Sequence, residues 1–209
     1  MSMESILAGH RFVPVLAFTS VGEALAVSEV LLRAGLPLLE ITLRTPEALD
    51  CISAVAGALP EARVGVGTIV DPEQVGLARA AGAVFGVSPG FSPALAAAAR
   101  QHDLPFLPGV ATVSEALAAR ALGFSTLKFF PAEAGGGVRF LNSVKGVLPD
   151  LAFCPTGGVN PGNAAQYLAL PNVRAIGGSW LVQRDSSGVA DLDATRVAAE
   201  ACRSLAEGR

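Results

Sequence analysis

The sequence of 209 residues is 51% hydrophobic and carries a net charge of −3. This composition excludes a disordered chain, and an acidic balance without any basic run argues against nucleic acid as a partner. Charged residues interrupt the apolar runs well before the roughly 20 residues that a membrane-spanning helix needs, and the first residues lack a signal-peptide pattern, so we expect no membrane association.

Short apolar runs alternate with longer, alanine-rich segments along the whole chain. The short runs predict β-strands at 13–18, 37–43, 63–68, 83–88, 105–110, 126–130, 152–157 and 173–178. The longer segments predict helices at 21–35, 46–60, 71–82, 92–101, 112–123, 137–148 and 160–170, with a last helix near 191–208. Eight strand–helix pairs predict an α/β fold, a single (β/α)8 TIM-barrel domain over residues 1–209, with a doubly wound open sheet as the alternative.

Local signals support the predicted helix boundaries. Residues that favour the N-cap position, each followed by an acid in the first turn, are Thr45, Asp71 and Thr112. Glycines that suit helix C-termini follow three of the helical segments, at positions 35, 82 and 123.

The cysteines and histidines indicate neither disulfides nor a metal centre. The three cysteines show no C-x-x-C spacing, which is typical of reduced thiols in a cytoplasmic protein. The two histidines, His10 and His102, are isolated in the sequence, so we predict no metal and no cofactor.

Polar residues close most of the predicted strands, and one of them is an unusual lysine. The sequence has two lysines, Lys128 and Lys145, and Lys128 lies inside the apolar run TLKFF. The other polar strand ends are Glu40 with Arg44, Thr68, Ser88, Thr156 and Ser179. Because the active sites of such barrels lie at the C-terminal ends of the strands, these residues predict one shared site.

Alternation along the strands places Glu40 and Lys128 in the same interior. Leu39 and Ile41 share the face that meets the helices, whereas Glu40 lies on the opposite face, as Lys128 does in its own strand. Removal from water favours the neutral forms of an amine and a carboxyl group, which gives a nucleophile and a group that can both donate and accept protons. The pattern therefore predicts Schiff-base chemistry, with a buried ion pair of no chemical role as the alternative.

Two further residues are candidates for binding a substrate carboxylate. The guanidinium of Arg44 suits a carboxylate bidentately, although a surface position at the start of the next helix is the alternative. Thr68 offers a hydroxyl and a backbone N–H at a strand end, where an N-cap role is equally compatible with the sequence.

Glycine pairs after the last two strands predict a phosphate site. CPTGGV places Gly157 and Gly158 after the seventh strand, and IGGSWL places Gly177, Gly178 and Ser179 after the eighth. Backbone amides at glycine turns bind phosphate, and the loops after strands seven and eight are the usual phosphate site of a TIM barrel. The sequence contains no dinucleotide-binding fingerprint and no Walker A motif.

Together these segments resemble the family of 2-dehydro-3-deoxy-phosphogluconate (KDPG) and 4-hydroxy-2-oxoglutarate (KHG) aldolases, essentially over the whole chain. The motifs that carry the resemblance are VPV at 13–15, EITLRT at 40–45, VGVGT at 64–68, SPG at 88–90, PGV at 108–110, LKFFPAE at 127–133, CPTGGV at 154–159 and IGGSWL at 176–181.

The resemblance implies a metal-independent class I aldolase of the Entner–Doudoroff pathway, on a (β/α)8 barrel, acting on a phosphorylated keto acid and assembling as a homotrimer. It implies that Lys128 forms the Schiff base and that Glu40 is the general acid and base. The substrate-binding residues that it implies are Arg44 and Thr68 for the pyruvate carboxylate, Phe130 and Pro89 for the pocket wall, Thr156 for the hydroxyls, and Gly157, Gly158, Gly178 and Ser179 for the phosphate.

Several alternatives remain open at this stage. Within the family, KHG and the galactose-configured epimer of KDPG are other possible substrates, and Thr156 favours the gluconate form. Outside it, the alternatives are a sugar-phosphate binding protein without turnover and a metal-dependent aldolase on the same fold.

Overall fold

The structure, a computed structural model, describes residues 2–186 and 188–207, with side chains up to residue 205. The strands are β1 (Phe12–Leu16), β2 (Leu38–Thr42), β3 (Arg63–Gly67), β4 (Phe85–Val87), β5 (Phe106–Leu107), β6 (Gly109–Val110), β7 (Thr126–Phe129), β8 (Ala152–Pro155) and β9 (Ile176–Gly178). The helices are α1 (Met3–Leu7), α2 (Val21–Arg33), α3 (Ala48–Ala58), α4 (Pro72–Ala80), α5 (Pro93–Gln101), α6 (Val113–Ala121), α7 (Gly137–Val147), α8 (Ala164–Leu168) and α9 (Leu192–Glu207).

The predicted strand–helix order agrees with the structure, with two differences. Each predicted strand run overlaps an observed strand, but the fifth run is divided at Pro108 into β5 and β6, since proline cannot donate a hydrogen bond to a neighbouring strand. The second difference is α1, a short helix that the sequence analysis did not predict.

All the strand pairs are parallel, so the architecture is an α/β fold. The strands form a six-stranded sheet in the order β5-β4-β3-β2-β1-β9 and a three-stranded sheet in the order β6-β7-β8. Bridges between Phe153 and Val173 and between Thr156 and Gly177 link β8 to the chain at β9, and only Pro108 separates β5 from β6.

Strand residues from both sheets pack against each other on the side away from the larger helix-covered core. This smaller cluster includes Val13, Leu38 and Phe85 from the six-stranded sheet and Cys154 from the three-stranded sheet. Met3, Ile6 and Leu7 of α1 belong to the same cluster, so α1 covers its amino-terminal side. The apolar cluster therefore leaves the carboxyl ends of the strands for polar residues.

Two of the three predicted N-caps are confirmed, and the one at α3 is wrong. The side chains of Asp71 and Thr112 cap α4 and α6 as predicted. Thr45 does not cap α3, which starts at Ala48 without a side-chain cap; its hydroxyl donates instead to the Phe18 carbonyl, at 2.6 Å. This bond joins the loop after β1 to the loop after β2, next to Arg44. Among the described helices, none combines the length and apolar composition needed to span a bilayer.

Candidate active site

A buried ion pair joins the two sheets. The Nζ atom of Lys128 on β7 lies 3.0 Å from Oε1 of Glu40 on β2, and their side chains are only 5% and 2% exposed. Strand alternation predicted that both would face one interior, and the structure brings them into contact there. An ammonium and a carboxylate without water are stable only when paired, so each of these groups depends on the other.

The space around the pair is filled closely. An added Cβ at Gly67 would lie 2.3 Å from Oε1 of Glu40, so only glycine leaves room for the carboxylate at this position on β3. The Nζ atom of Lys128 lies 5.4 Å from the centre of the Phe130 ring, within the range of a cation–π interaction. Cys154, the neighbour of Lys128 on β8, has a pKa raised to about 12 by burial and by the nearby Glu40 carboxylate. The Cys154 thiol is therefore uncharged and packs beside the ion pair.

Arg44 and Thr68 lie together after the ends of β2 and β3. The Nε atom of Arg44 is 3.3 Å from the Thr68 hydroxyl oxygen. Thr68 has a φ of 62°, a left-handed conformation that is unfavourable for a β-branched residue. This conformation costs free energy and places the Thr68 hydroxyl beside the guanidinium. Backbone strain of this kind is common at binding sites.

A cavity of about 230 Å³ opens at the carboxyl ends of the strands. Seven of the sequence-predicted site residues line it: Arg44, Phe130, Thr156, Gly157, Gly158, Gly178 and Ser179. Lys128 and Glu40 are not in the lining; the Nζ atom of Lys128 lies 5.4 Å from the centre of the Phe130 ring, which is in the lining. Thr68 does not line the cavity, but it contacts Arg44, which does. Pro89 does not line the cavity. The carbonyl group of Pro89 packs against Gly109, where an added Cβ would collide with it.

The Gly157–Gly158 segment is a turn whose carbonyls are all engaged. Both glycines have positive φ values, 93° and 81°, which L-residues rarely adopt. The carbonyls of residues 156–158 accept hydrogen bonds from the backbone of Ala132 and Glu133 and from the side-chain amides of Asn160 and Asn163. The bridge between Thr156 and Gly177 ties the start of this turn to β9, and the turn lines the cavity at the carboxyl ends of the strands.

The second glycine pair is not a turn, contrary to the sequence-based prediction. Gly177 and Gly178 are the last buried residues of β9 and pair with β1. An added Cβ at Gly177 would lie 2.3 Å from the Thr156 hydroxyl oxygen, and one at Gly178 would collide with the Trp180 ring. Close packing, not a turn conformation, requires these glycines. Ser179 follows them and is exposed at the cavity.

Other parts of the molecule offer space without comparable chemistry. Cavities of about 300 and 350 Å³ adjoin α1, at the opposite end of the strands, and one of about 330 Å³ adjoins the loop after α1; none of these linings contains a lysine. Among the described residues, no group of three or more His, Cys, Asp or Glu side chains could hold a metal ion.

Sequence reasoning assigned no separate role to Glu133 and Tyr167. Glu133 lies in the LKFFPAE segment, and the tyrosine is the single one in the sequence. Tyr167 is fully buried, and its hydroxyl donates a hydrogen bond to the Glu133 carboxylate beside the Gly157–Gly158 turn. The sequence around Tyr167 on α8 gives no signal of this contact, because its partner, Glu133, lies in the loop after β7.

Comparison with known proteins agrees with this geometry. Residues 3–198 match the model of the KDPG and KHG aldolase family. The KHG/KDPG aldolase of Escherichia coli K12 is 44% identical over 201 residues, 96% of this chain and 94% of that protein. A crystal structure of the 2-keto-3-deoxy-6-phosphogluconate aldolase of Zymomonas mobilis ZM4 with 3-phosphoglycerate has a TM-score of 0.92 and 35% identity, covering 97% of this chain and 95% of that one. The KDPG aldolase of Legionella pneumophila, with pyruvate captured as a covalent carbinolamine intermediate, has a TM-score of 0.90 and 36% identity, covering 98% of each chain.

Proposed function

Because this chain belongs to the KDPG and KHG aldolase family, we propose that it is a class I aldolase that cleaves 2-dehydro-3-deoxy-6-phosphogluconate into pyruvate and glyceraldehyde 3-phosphate. The observation that carries the proposal is the buried pair of Lys128 and Glu40 beside the cavity at the carboxyl ends of the strands. An ammonium held 3.0 Å from a carboxylate can pass a proton to that carboxylate and become a neutral, nucleophilic amine.

The reaction begins when the Lys128 amine attacks the C2 ketone of the substrate. The resulting carbinolamine loses water and becomes an iminium ion, whose nitrogen accepts electrons. Glu40, directly or through one water molecule, removes the proton of the C4 hydroxyl, the C3–C4 bond breaks, and glyceraldehyde 3-phosphate leaves. The remaining enamine is protonated at C3 and hydrolysed, which releases pyruvate and restores the amine. The carbinolamine captured in the Legionella relative supports the first step.

The substrate lies along the cavity with its carboxylate at one end and its phosphate at the other. Arg44 and Thr68 hold the carboxylate, and Phe130 forms the wall beside the pyruvyl group. Thr156 meets the hydroxyls, and the phosphate lies against Gly157, Gly158 and Gly178 and accepts a hydrogen bond from the hydroxyl of Ser179. The left-handed turn at Gly157–Gly158 in the cavity lining and the 3-phosphoglycerate in the Zymomonas relative support this orientation.

A second candidate substrate is 4-hydroxy-2-oxoglutarate, which lacks the phosphate. The observation that favours it is the Escherichia coli relative, which carries both substrates in its name. The two substrates share the 2-oxo acid and the 4-hydroxyl group, so the chemistry at Lys128 is the same for both.

The proposal extends to architecture, assembly and location. Residues 1–209 form one domain in which the two sheets close into a (β/α)8 barrel; the bridge between Thr156 and Gly177 and the TM-score of 0.92 to the Zymomonas enzyme support this closure. The chain assembles as a homotrimer, an assembly to which exposed apolar side chains such as Val70 and Leu77 are suited. It acts in the cytoplasm, a location that its three free cysteines support.

The test is borohydride reduction in the presence of pyruvate, combined with turnover of the two keto acids. We expect a covalent mass increase at Lys128 and none at the exposed Lys145 on α7, together with pyruvate release from the phosphorylated keto acid at the higher kcat/KM. An adduct at Lys145 would refute the assigned nucleophile. Faster turnover of 4-hydroxy-2-oxoglutarate would transfer the proposal to that substrate, and turnover of neither would refute the aldolase.

A further inference from the structure

The Gly157–Gly158 turn lies next to a carboxylate, which is unexpected for a phosphate site. Glu133 donates its backbone N–H to the Gly157 carbonyl at 3.0 Å. Its side-chain stem covers the turn: an added Cβ at Gly158 would lie 2.6 Å from Cγ of Glu133 and 2.7 Å from its Cβ. Because Glu133 is exposed overall, its side chain has room to adopt other orientations.

The charged end of Glu133 is held away from the turn. Its Oε1 atom accepts a hydrogen bond from the hydroxyl of Tyr167. Both atoms lie at the start of α7, where an added Cβ on Gly137 would be 3.1 Å from the Tyr167 hydroxyl and 3.2 Å from Oε1 of Glu133. A carboxylate at a helix N-terminus is favoured by the helix dipole. The stem therefore contacts the turn while the negative charge lies at α7.

The hydroxyl of Tyr167 has no evident packing role. Tyr167 is completely buried on α8, and a phenylalanine would fill almost the same volume. A buried hydroxyl requires a hydrogen-bond partner, and here that partner belongs to the loop after β7. Burial and the Glu133 carboxylate raise the pKa of Tyr167 well above its usual range, so the phenol remains a donor.

We propose that Tyr167 is a positioning residue that holds the Glu133 carboxylate at the start of α7 and so keeps the Gly157–Gly158 turn open to the substrate phosphate. Without this hydrogen bond, rotation of the Glu133 side chain brings its negative charge toward the site where the phosphate binds. The two negative charges then repel each other. Asn163, the residue before α8, donates its side-chain amide to the Gly158 carbonyl at 3.1 Å, so this segment contacts the turn directly through Asn163 and, through Tyr167, holds the Glu133 side chain that covers it. This inference rests on the proposed function.

The test is a double-mutant cycle with Tyr167→Phe, Glu133→Gln and the combined variant. KM and kcat are measured for the phosphorylated keto acid and for 4-hydroxy-2-oxoglutarate, and exchange of the pyruvate methyl protons with deuterium reports the Lys128 site alone. Tyr167→Phe should raise KM for the phosphorylated substrate roughly tenfold through charge repulsion, with kcat and pyruvate exchange within about twofold of the wild type. Glu133→Gln should leave KM unchanged or lower it, because glutamine keeps the acceptor and removes the charge.

The combined variant separates positioning from packing. With Tyr167→Phe and Glu133→Gln together, KM for the phosphorylated substrate should return to within about threefold of the wild type, since no carboxylate remains to be displaced. An increase in KM that the second substitution does not reverse, or an equal increase for both keto acids, would overturn the proposal. A wild-type protein that turns over neither keto acid would refute the proposed function itself, whereas a Tyr167→Phe variant with unchanged KM would refute only the role of Tyr167.

Discussion

The amine of Lys128 and the carboxylate of Glu40 lie 3.0 Å apart in a space from which solvent is almost completely excluded. The two residues are 88 positions apart in the sequence and come from strands of different sheets. A pair of this kind adds little net stability compared with apolar residues, but the loss of one partner leaves an uncompensated buried charge. The same proximity allows the proton transfer that the proposed reaction requires.

The first prediction concerns the stability of this pair. Lys128→Met leaves the Glu40 carboxylate buried without a partner and should lower the free energy of unfolding by about 3–5 kcal/mol. Combining Lys128→Met with Glu40→Gln should recover most of that loss, because no charge remains. Urea denaturation measures both variants. Arg33→Met, which breaks the exposed pair with Glu29, is the control and should cost no more than about 1 kcal/mol. A Lys128→Met variant as stable as this control would show that the pair is hydrated in solution.

The second prediction separates Schiff-base formation from proton transfer. Glu40→Gln removes the proposed proton-transfer group but leaves the Lys128 amine. Deuterium exchange at the pyruvate methyl group should fall by at least roughly 100-fold, as is typical of general acid–base groups. Borohydride should still trap pyruvate on Lys128 in this variant. An exchange rate equal to that of the wild type would exclude Glu40 from the reaction.

The third prediction concerns the left-handed conformation of Thr68. Thr68→Gly relieves the backbone strain but removes the hydroxyl beside Arg44, so KM for pyruvate exchange should rise about fivefold for one lost hydrogen bond. Stability should change by less than about 1 kcal/mol, because the relieved strain is offset by the greater freedom of glycine in the unfolded chain.

Thr68→Ser is the matched variant, since serine retains the hydroxyl but lacks the methyl group that makes threonine β-branched. Its KM for pyruvate should stay close to that of the wild type. If Thr68→Gly also kept the wild-type KM, the hydroxyl would have no part in binding the carboxylate.

The fourth prediction concerns the phosphate end of the cavity. Ser179→Ala removes a hydroxyl without changing the backbone, and the loss of a hydrogen bond to a charged group should raise KM for the phosphorylated keto acid by about tenfold or more. KM for 4-hydroxy-2-oxoglutarate should change little. Ser143→Ala on α7, away from the cavity, is the control. An equal effect of Ser179→Ala on both substrates would place the phosphate elsewhere.

Local patterns were sufficient for the order of elements and for the inward direction of Glu40 and Lys128. Strand alternation depends only on backbone geometry, so the face on which each side chain lies follows from its position in the strand. The unusual lysine in TLKFF was equally visible, since an ammonium in an apolar run requires a partner or a chemical role. The capping roles of Asp71 and Thr112 also followed from short-range signals.

Contacts between segments that are distant in the sequence required the tertiary structure. Thr45 suits an N-cap position by its residue type, but its hydroxyl bonds to Phe18 because the loops after β1 and β2 meet. Gly177 and Gly178 look like a turn in the sequence, yet they end a strand and are required by the proximity of Thr156 and Trp180. The position of Pro89 outside the cavity lining likewise depends on packing against Gly109.

The sequence by itself therefore determined the α/β order of strands and helices, the inward-facing lysine and the carboxylate that shares its interior, because these follow from strand alternation and from the free-energy cost of burying a charge. The tertiary structure alone decided the 3.0 Å distance between Lys128 and Glu40, the left-handed Thr68 beside Arg44, and the hydrogen bond from Tyr167 that directs the Glu133 carboxylate. The physical reason is that these contacts join loops and strands far apart in the chain, and their geometry is set by how the whole set of strands and helices packs.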